Sequence, residues 1–446
     1  MFKKYVQRQL KRYVESIILP GSSALEIEAG DFSFLQDSGL TEKSGLVYGK
    51  DIAPLKDKFT GESFFLWERK KIPFDKKFDY VIINGLINEQ VDAQDILLQV
   101  KSSCKPDSRV ILARFSPLWK FLFKTAEILK LIKHTPCQFL SDRDLTLIFD
   151  LSGYQEIKEE RKILLPMYIP LISSFFNRVL SGLPWFGFFS LYRISILRPV
   201  DNGHLREDLS CSVIIPCRNE AGNIEPAVRR IPAMGRHTEL IFVEGHSKDT
   251  TLSECYRVQK SFPEKDIKVL RQDDIGKGDA VRKGFSQAKG DILMILDADL
   301  TVAPEDLPKF FNAAVLGKGE FINGSRLIYP MQRHAMRRLN LLANRFFSRV
   351  FSFLLNQHLT DTLCGTKVLS RDNYLKIAKS RAYFGDFDPF GDFDLLFGAS
   401  RLNLKITEIP VRYYARGYGK TQIRRFRDGW QLLKMTALAM RKIKFI

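Results

Sequence analysis

Short apolar runs alternate with longer stretches of mixed polarity along most of this chain of 446 residues. Runs this brief, rich in Val, Ile and Leu and bounded by polar turns, predict strands rather than buried helices. In the first half they fall at Ala24–Ile27, Gly45–Tyr48, Tyr80–Ile83, Val110–Ala113 and Leu191–Leu197. A polar stretch, Pro199–Ser210, then breaks the rhythm and predicts a linker. The alternation restarts at Cys211–Pro216, Leu240–Glu244, Ile267–Leu270 and Ile292–Leu296. Strands alternating with helical stretches predict an α/β fold with parallel sheets, here in two domains, 1–205 and 206–446. No internal repeat and no low-complexity tract interrupts the pattern.

Composition sharpens this picture in three places. A hydrophobic share of 45% beside 27% charged residues is the balance of a globular protein, which excludes a disordered chain. Six scattered cysteines, without a close pair of the metal-binding kind, predict reduced thiols in the cytosol rather than a disulfide frame. The amino-terminal MFKKYVQRQLKRYV alternates basic and apolar residues, unlike a cleavable signal. The longest uncharged runs, Ile163–Asn177 and Val179–Tyr192, fall short of the roughly 20 residues a spanning helix needs, so no transmembrane span is expected.

Charge adds a partner class. The formal net charge is +18, and the stretch from Arg401 to Ile446 holds twelve Lys and Arg against Glu408 and Asp428. Such a block favours an anionic partner: nucleic acid, an anionic membrane or a phosphorylated substrate. No recognised nucleic-acid motif accompanies it, so nucleic acid is not expected. Two segments offer lipid contacts. Leu339, Leu342, Phe346, Val350 and Leu354 form an apolar stripe at helical spacing, flanked by Arg338, Arg345 and Arg349. The other is Trp430–Ile446, just beyond Arg424, Arg425 and Arg427. Either fits an interfacial helix or one packed on its own domain.

The chemistry gathers where the second-half strands end. The run GDILMILDADL drives apolar Ile292–Leu296 into two acids, Asp297 and Asp299. Two like charges at the tip of a buried strand are unfavourable unless a cation joins them, and Mg²⁺ or Mn²⁺ bridges carboxylates to phosphates. The first strand leaves through Pro216, Asn219 and Glu220, and the second through Glu244 and Asp249. All of these lie beyond carboxyl ends of parallel strands, where open α/β sheets bind ligands. The Gly-rich turn around Lys277 and Gly278 opens a helix, a place for backbone N–H groups to meet phosphate.

These segments, P-x-x-N-E, E-G-x-S-x-D-x-T, G-K-G and D-A-D in that order, resemble the family 2 glycosyltransferases of the GT-A (nucleotide-diphospho-sugar transferase) fold over residues 211 to about 330. Glu244 stands where that family usually has the first acid of D-D-G-S. Gly324-Ser-Arg326, Asp361–Lys367 and Arg416-Gly-Tyr-Gly-Lys-Thr421 are similar to stretches of dolichyl- and polyprenyl-phosphate sugar transferases. The resemblance implies Asp299 as direct metal ligand, with Asp297 on the ribose or a metal-bound water. It implies a nucleotide-sugar site of Pro216, Asn219, Glu220, Glu244, Asp249, Lys277, Gly278, Asp297, Arg326 and Lys420, with Arg416 on the phosphates. Asp392 and Asp394 lie where relatives place a base or an acceptor-contacting acid; either also suits a helix N-terminus.

In the first half, Ala24–Phe32 looks like the opening of a class I S-adenosylmethionine-dependent methyltransferase, a Rossmann-like fold, with Glu26, Gly30 and Asp51 at its cofactor positions. Phe78–Glu89, Cys104–Leu112, Leu140–Leu145 and Leu151–Tyr154 resemble its later elements. Glu28 and Phe32 replace two glycines where backbone must approach the cofactor, which points to weakened or lost binding. The aromatic stretch Pro184–Phe189 reads as the lead-in to a buried final strand, or as a contact for a lipid acceptor.

Together these readings lead to a metal-dependent, inverting transfer of sugar from a nucleoside diphosphate to a polyprenyl phosphate, at the cytoplasmic side and peripheral to the inner face of the membrane. The alternatives are a bifunctional enzyme that also methylates with S-adenosylmethionine, and a lipid-associated scaffold without catalysis.

Overall fold

The structure is a computed structural model of the whole chain. It describes residues 2–27, 39–47, 63–68, 71–73, 75–89, 92–132, 138–200, 208–329, 338–384, 391–419 and 425–445. The chain divides into two compact units, Met1–Gly203 with Lys444–Ile446, and His204–Ile443.

The first unit is built on β1 (Ser23–Ile27), β2 (Glu42–Val47), β3 (Ser63–Leu66), β4 (Phe78–Asn84), β5 (Cys104–Phe115), β6 (Tyr154–Lys162) and β7 (Tyr192–Pro199). They form one sheet in the order β3-β2-β1-β4-β5-β7-β6. The first five run parallel, and β7 lies antiparallel between β5 and β6. Both faces are covered. Leu25, Val81 and Leu112 pack with the helix Ala93–Ser102 on one side. Ala24, Ile82 and Ile111 pack with Leu10 and Val14 of the helix Phe2–Ile17 on the other. Successive side chains of a strand point to opposite faces, so a strand buried on both sides must be apolar throughout. That is why β4 and β5 were legible as unbroken runs. β6 reads as YQEIKEERK, in which only Tyr154 and Ile157 are apolar, and sequence periodicity passed it over.

The second unit contains β8 (Cys211–Cys217), β9 (Thr238–Glu244), β10 (Asp266–Arg271), β11 (Ile292–Ile295), β12 (Phe321–Ser325), β13 (Lys367–Ser370) and β14 (Ile406–Pro410). Their order is β10-β9-β8-β11-β13-β12-β14. The four strands β10, β9, β8 and β11 are parallel, and β13 runs antiparallel to both β11 and β12. β14 is parallel to β12. This register decides where the chemistry sits. The carboxyl ends of β8, β9, β11, β12 and β14 and the amino end of β13 all fall on one edge of the sheet.

The helix Arg338–Leu355 is two-sided. It buries Phe347, Phe351 and Leu355 and exposes Leu342, Arg345, Phe346 and Arg349. The apolar stripe read from spacing is therefore split, with Leu354 buried and Leu342 and Phe346 outward. The side chains of Arg338 and Leu339 lie outside the description. No helix among the described residues is long and apolar enough to cross a membrane.

Candidate active site

Three clusters of opposite charge line the common edge. In the first, Arg416 donates from Nη1 to Glu220 Oε1 at 2.8 Å and from Nη2 to Asp299 Oδ2 at 2.5 Å. One guanidinium thus joins the end of β8 to the turn after β11. Glu220 is fixed further by Asn223 Nδ2 at 2.6 Å, and its backbone N–H donates to Thr251 Oγ1. Burial raises the Glu220 carboxyl above its ordinary range, and the opposing pull of Arg416 does not cancel that. Asp299 also accepts from the backbone and hydroxyl of Thr301, at 3.2 and 2.8 Å.

In the second cluster, Lys277 Nζ lies 2.6 Å from Asp297 Oδ1 and 4.0 Å from Asp392 Oδ1. Burial works against the Asp297 carboxylate, but Lys277 outweighs it and the acid is held below its usual range. The same partners hold Lys277 protonated. Lys367, fully buried at the start of β13, donates to Cys364 O and Asn323 Oδ1 and stands 3.4 Å from Asp392 Oδ1. That oxygen is buried without a hydrogen bond. Two glycines let the pieces approach. A Cβ on Gly365 would overlap the Asp297 carboxylate, and one on Gly391, at φ +74°, would sit 2.7 Å from Gly278 Cα. Gly391 thereby brings the helix Asp392–Arg401 against the helix Lys277–Gln287.

The third cluster is a buried bidentate pair. Arg326 Nε and Nη2 donate to Asp361 at 2.6 and 2.9 Å, and the guanidinium lies over the Tyr413 ring at 5.0 Å. Asp361 accepts as well from Asn344 Nδ2 and from the backbone of Arg326 and Leu363. Its carboxyl, pushed up by burial and pulled down more strongly by Arg326, rests at about 2. Arg326 is thus committed to holding the loop that carries Gly365 and Lys367.

The remaining sequence-derived residues divide. Pro216 is half-buried within β8. Asn219, at φ +56°, takes the Lys248 N–H on its side chain and gives its own N–H to Ser247. Glu244 is buried and closes its own turn on the Ser247 N–H. Asp249 binds the backbone and hydroxyl of Thr251. These four shape the floor between β8 and β9. Asp394 is drawn away from Asp392 by Arg381 Nε at 2.8 Å. Lys420 lies outside the described residues, as do Gly30 and Asp51 of the first unit, whose Glu26 is buried at the end of β1. Lys367 and Asp361 escaped selection as site residues, although D361-TLCGT-K367 carries a charge at each end.

Asp297 and Asp299 are the acids that could share a metal. Among the described residues no group of three or more His, Cys, Asp or Glu converges as a ready metal cage. Beside Asp299 opens a cleft of ≈ 930 Å³, bordered by Leu300, Arg230, Tyr329, Arg412 and Tyr414.

Comparison with known proteins bears on this unit. The chain is 38% identical over 107 residues to the dolichol-phosphate mannosyltransferase of Saccharomyces cerevisiae, covering 23% of this chain and 40% of that protein. It is 35% identical over 123 residues to the dolichol-phosphate mannosyltransferase of Pyrococcus furiosus, covering 27% and 34%. The chain thus spans less than half the length of these curated relatives. A crystal structure of glucosyl-3-phosphoglycerate synthase from Mycobacterium tuberculosis, in complex with Mn²⁺, UDP and glucosyl-3-phosphoglycerate, is similar at 17% identity and a TM-score of 0.39, over 53% of this chain and 81% of that one. Residues 212–377, from β8 into the helix Arg371–Ser380, match the family model described as Glycosyl transferase family 2, and the second unit carries a domain of that family.

Proposed function

We propose that this chain transfers a sugar, with inversion, from a nucleoside-diphosphate donor to a polyprenyl-phosphate-type lipid, with Mg²⁺ or Mn²⁺ at Asp297 and Asp299. The family match and the lipid-phosphate substrates named for the relatives support this. The observation that carries it is the Glu220–Arg416–Asp299 triad beside the Lys277–Asp297 pair. Acids and cations there satisfy one another and can exchange partners when a charged substrate enters.

The acids fit a hard divalent ion: carboxylate oxygens are its preferred donors, and both are already countered by cationic side chains. Two carboxylates suffice when substrate phosphates complete the coordination. When bound, such an ion supplies charge neutralisation for the departing diphosphate. The chain's own residues do the rest. Arg416 exchanges Asp299 for phosphate oxygens, and Lys277 and the Gly278 N–H stand at a helix N-terminus that favours them. Asn219 and Asp249 hold the floor on which the nucleoside rests, with Glu244 beneath. The acceptor phosphate, ionised near neutrality, needs no general base. Its oxygen forms the new bond to the anomeric carbon on the face opposite the diphosphate, whose carbon–oxygen bond breaks. The cleft past Asp299, with Arg412 and Tyr414 on its border, has room for that acceptor.

A panel of nucleotide sugars offered with short-chain polyprenyl phosphate, followed by mass analysis, tests the reading. One donor is expected to give a glycosyl-phospholipid. Transfer to no lipid phosphate, with transfer to a free hydroxyl compound, overturns the acceptor class.

For the first unit we propose a methyltransferase-like domain with weakened S-adenosylmethionine binding. Its strand order begins 3-2-1-4-5, as in doubly wound nucleotide-binding sheets, and this favours a cofactor-type crevice. Glu28 and Phe32 in the expected glycine positions argue against tight occupancy. Calorimetry of the full chain with S-adenosylmethionine is expected to show millimolar or no affinity; micromolar binding instead favours the bifunctional reading.

A further inference from the structure

One corner of the first unit is built inside out. The ends of β5 and β6 and the start of β7 meet there, with Phe115 and Lys162 both opposite Tyr192. Two connections leave from this corner, residues 116–141 and 163–191, and Trp119 Nε1 donates to Phe189 O at 3.0 Å to tie them together. In the second, the helix Ile172–Arg178 turns Ser173 and Asn177 inward and Leu171, Ile172 and Phe175 outward. The polar side chains are fully used inside. Asn177 bonds both the N–H and the carbonyl of Leu165, and Ser173 takes the Ile169 N–H and gives to Met167 O. The platform is therefore fixed, and its apolar face is the outer one. A helix in a water-soluble protein has the opposite arrangement.

The outward groups are large and protrude: Leu171 is 89% exposed, Trp185 87%, Ile128 79% and Phe121 75%. Leu171 holds φ at +63°, a conformation that costs energy for a leucine. Pro184–Phe189 does lead into the buried strand β7, but its own side chains are turned outward. β7 begins at Tyr192, and Pro184–Gly187 before it is a short helix presenting Trp185 to the outside.

Charge selects what covers this face. The stretch 163–190 contains Arg178 and no acid, and 117–132 contains Lys120, Lys124 and Lys130 against Glu127. All four cations are exposed. Trp, Phe and Leu at protruding tips with cations around them match the boundary of an anionic bilayer, where apolar groups enter the acyl region and cations meet headgroups. We propose that this corner of the first unit docks on an anionic lipid surface, with Trp185, Leu171 and Phe121 inserted. The proposal stands apart from the sugar-transfer reading, because it concerns a different unit and requires no catalysis.

The full chain is floated with vesicles of phosphatidylcholine, or of phosphatidylcholine and phosphatidylglycerol in equal parts. Binding is expected on the mixed vesicles, weakened by salt, and reduced about tenfold or more in Leu171→Glu/Trp185→Glu. A second variant, Phe121→Ser/Ile128→Ser, acts on the other connection and is expected to weaken binding in the same direction. These side chains are exposed, so circular dichroism and melting should match the parent. Unchanged vesicle binding in both variants overturns the proposal. So does loss of binding only in Leu342→Glu/Trp430→Glu, which alters the second unit instead. A parent chain that self-associates in sedimentation, ignores vesicles and becomes monomeric in Leu171→Glu/Trp185→Glu assigns the face to a second copy and also overturns it.

Discussion

Asp299→Ala is expected to lower sugar transfer by on the order of 10³-fold or more at saturating Mg²⁺ or Mn²⁺ while leaving the fold intact. The two halves of that expectation have separate causes. Asp299 is partly open to solvent, and its partner Arg416 keeps a second acid, Glu220, so removing the carboxylate strands no charge in the core. The loss in catalysis has a different origin. With Asp299 absent, one of the two proposed metal ligands is gone, while Arg416 keeps its bond to Glu220. The phosphates would then meet an arginine but no anchored divalent ion. Turnover measured across a metal titration separates the possibilities. A variant rescued by more metal has lost affinity, whereas one flat across the titration has lost geometry. Turnover equal to the parent's at every concentration removes Asp299 from the metal site.

Arg416→Lys provides the internal comparison for that result. The guanidinium reaches Glu220 and Asp299 from two different nitrogens, and an ammonium cannot reproduce that fork. Loss in both variants is the pattern of one shared phosphate-and-metal centre.

How much of this was legible in advance depended on the physics of each element. Strands buried on both faces declared themselves, because β4, β5, β8, β9 and β11 must be apolar at consecutive positions. From them followed the parallel arrangement and the clustering of Glu220, Asp297 and Asp299 beyond the strand ends. The strands β12, β13 and β14 were passed over. FINGS, KVLS and ITEIP are short, and their polar members, buried Asn323 and Lys367 and half-buried Glu408, are held by tertiary partners that local pattern cannot reveal. The antiparallel β13 matters most, since it delivers Gly365 and Lys367 to the acids. Arg326 illustrates the same gap. Its motif was visible, but its partner lies 35 residues away. The inverted helix Ile172–Arg178 was hidden for another reason: periodicity reveals an apolar face without saying whether that face points in or out.

That buried partnership sets the second large expectation. Asp361→Asn is expected to destabilise the second unit by about 3–5 kcal/mol, because it leaves the Arg326 guanidinium buried without a counter-charge. Asp361 has its folded carboxyl at about 2 against an ordinary value of 3.8. A depressed folded value means the carboxylate stabilises the native state at pH above the unfolded value, and this contribution fades as pH falls from near 4 through about 2. The linked amount is about 2–3 kcal/mol. The parent's denaturation midpoint should therefore drop across that interval, and the variant's curve should lack that component. Because the same loop presents Gly365 to Asp297 and Lys367 to Asp392, milder loosening should appear in catalysis first. At temperatures where the variant remains folded, kcat is expected to fall with little change in donor KM, since Asp361 is fully buried and acts through the loop. A variant with parental stability at neutral pH and an unchanged acid limb would mean that Arg326 finds its compensation elsewhere and that the loop is held without the Asp361 carboxylate, by the bonds of Glu408 to Thr360 and the Asp361 backbone and of Asn323 to Asp361 O.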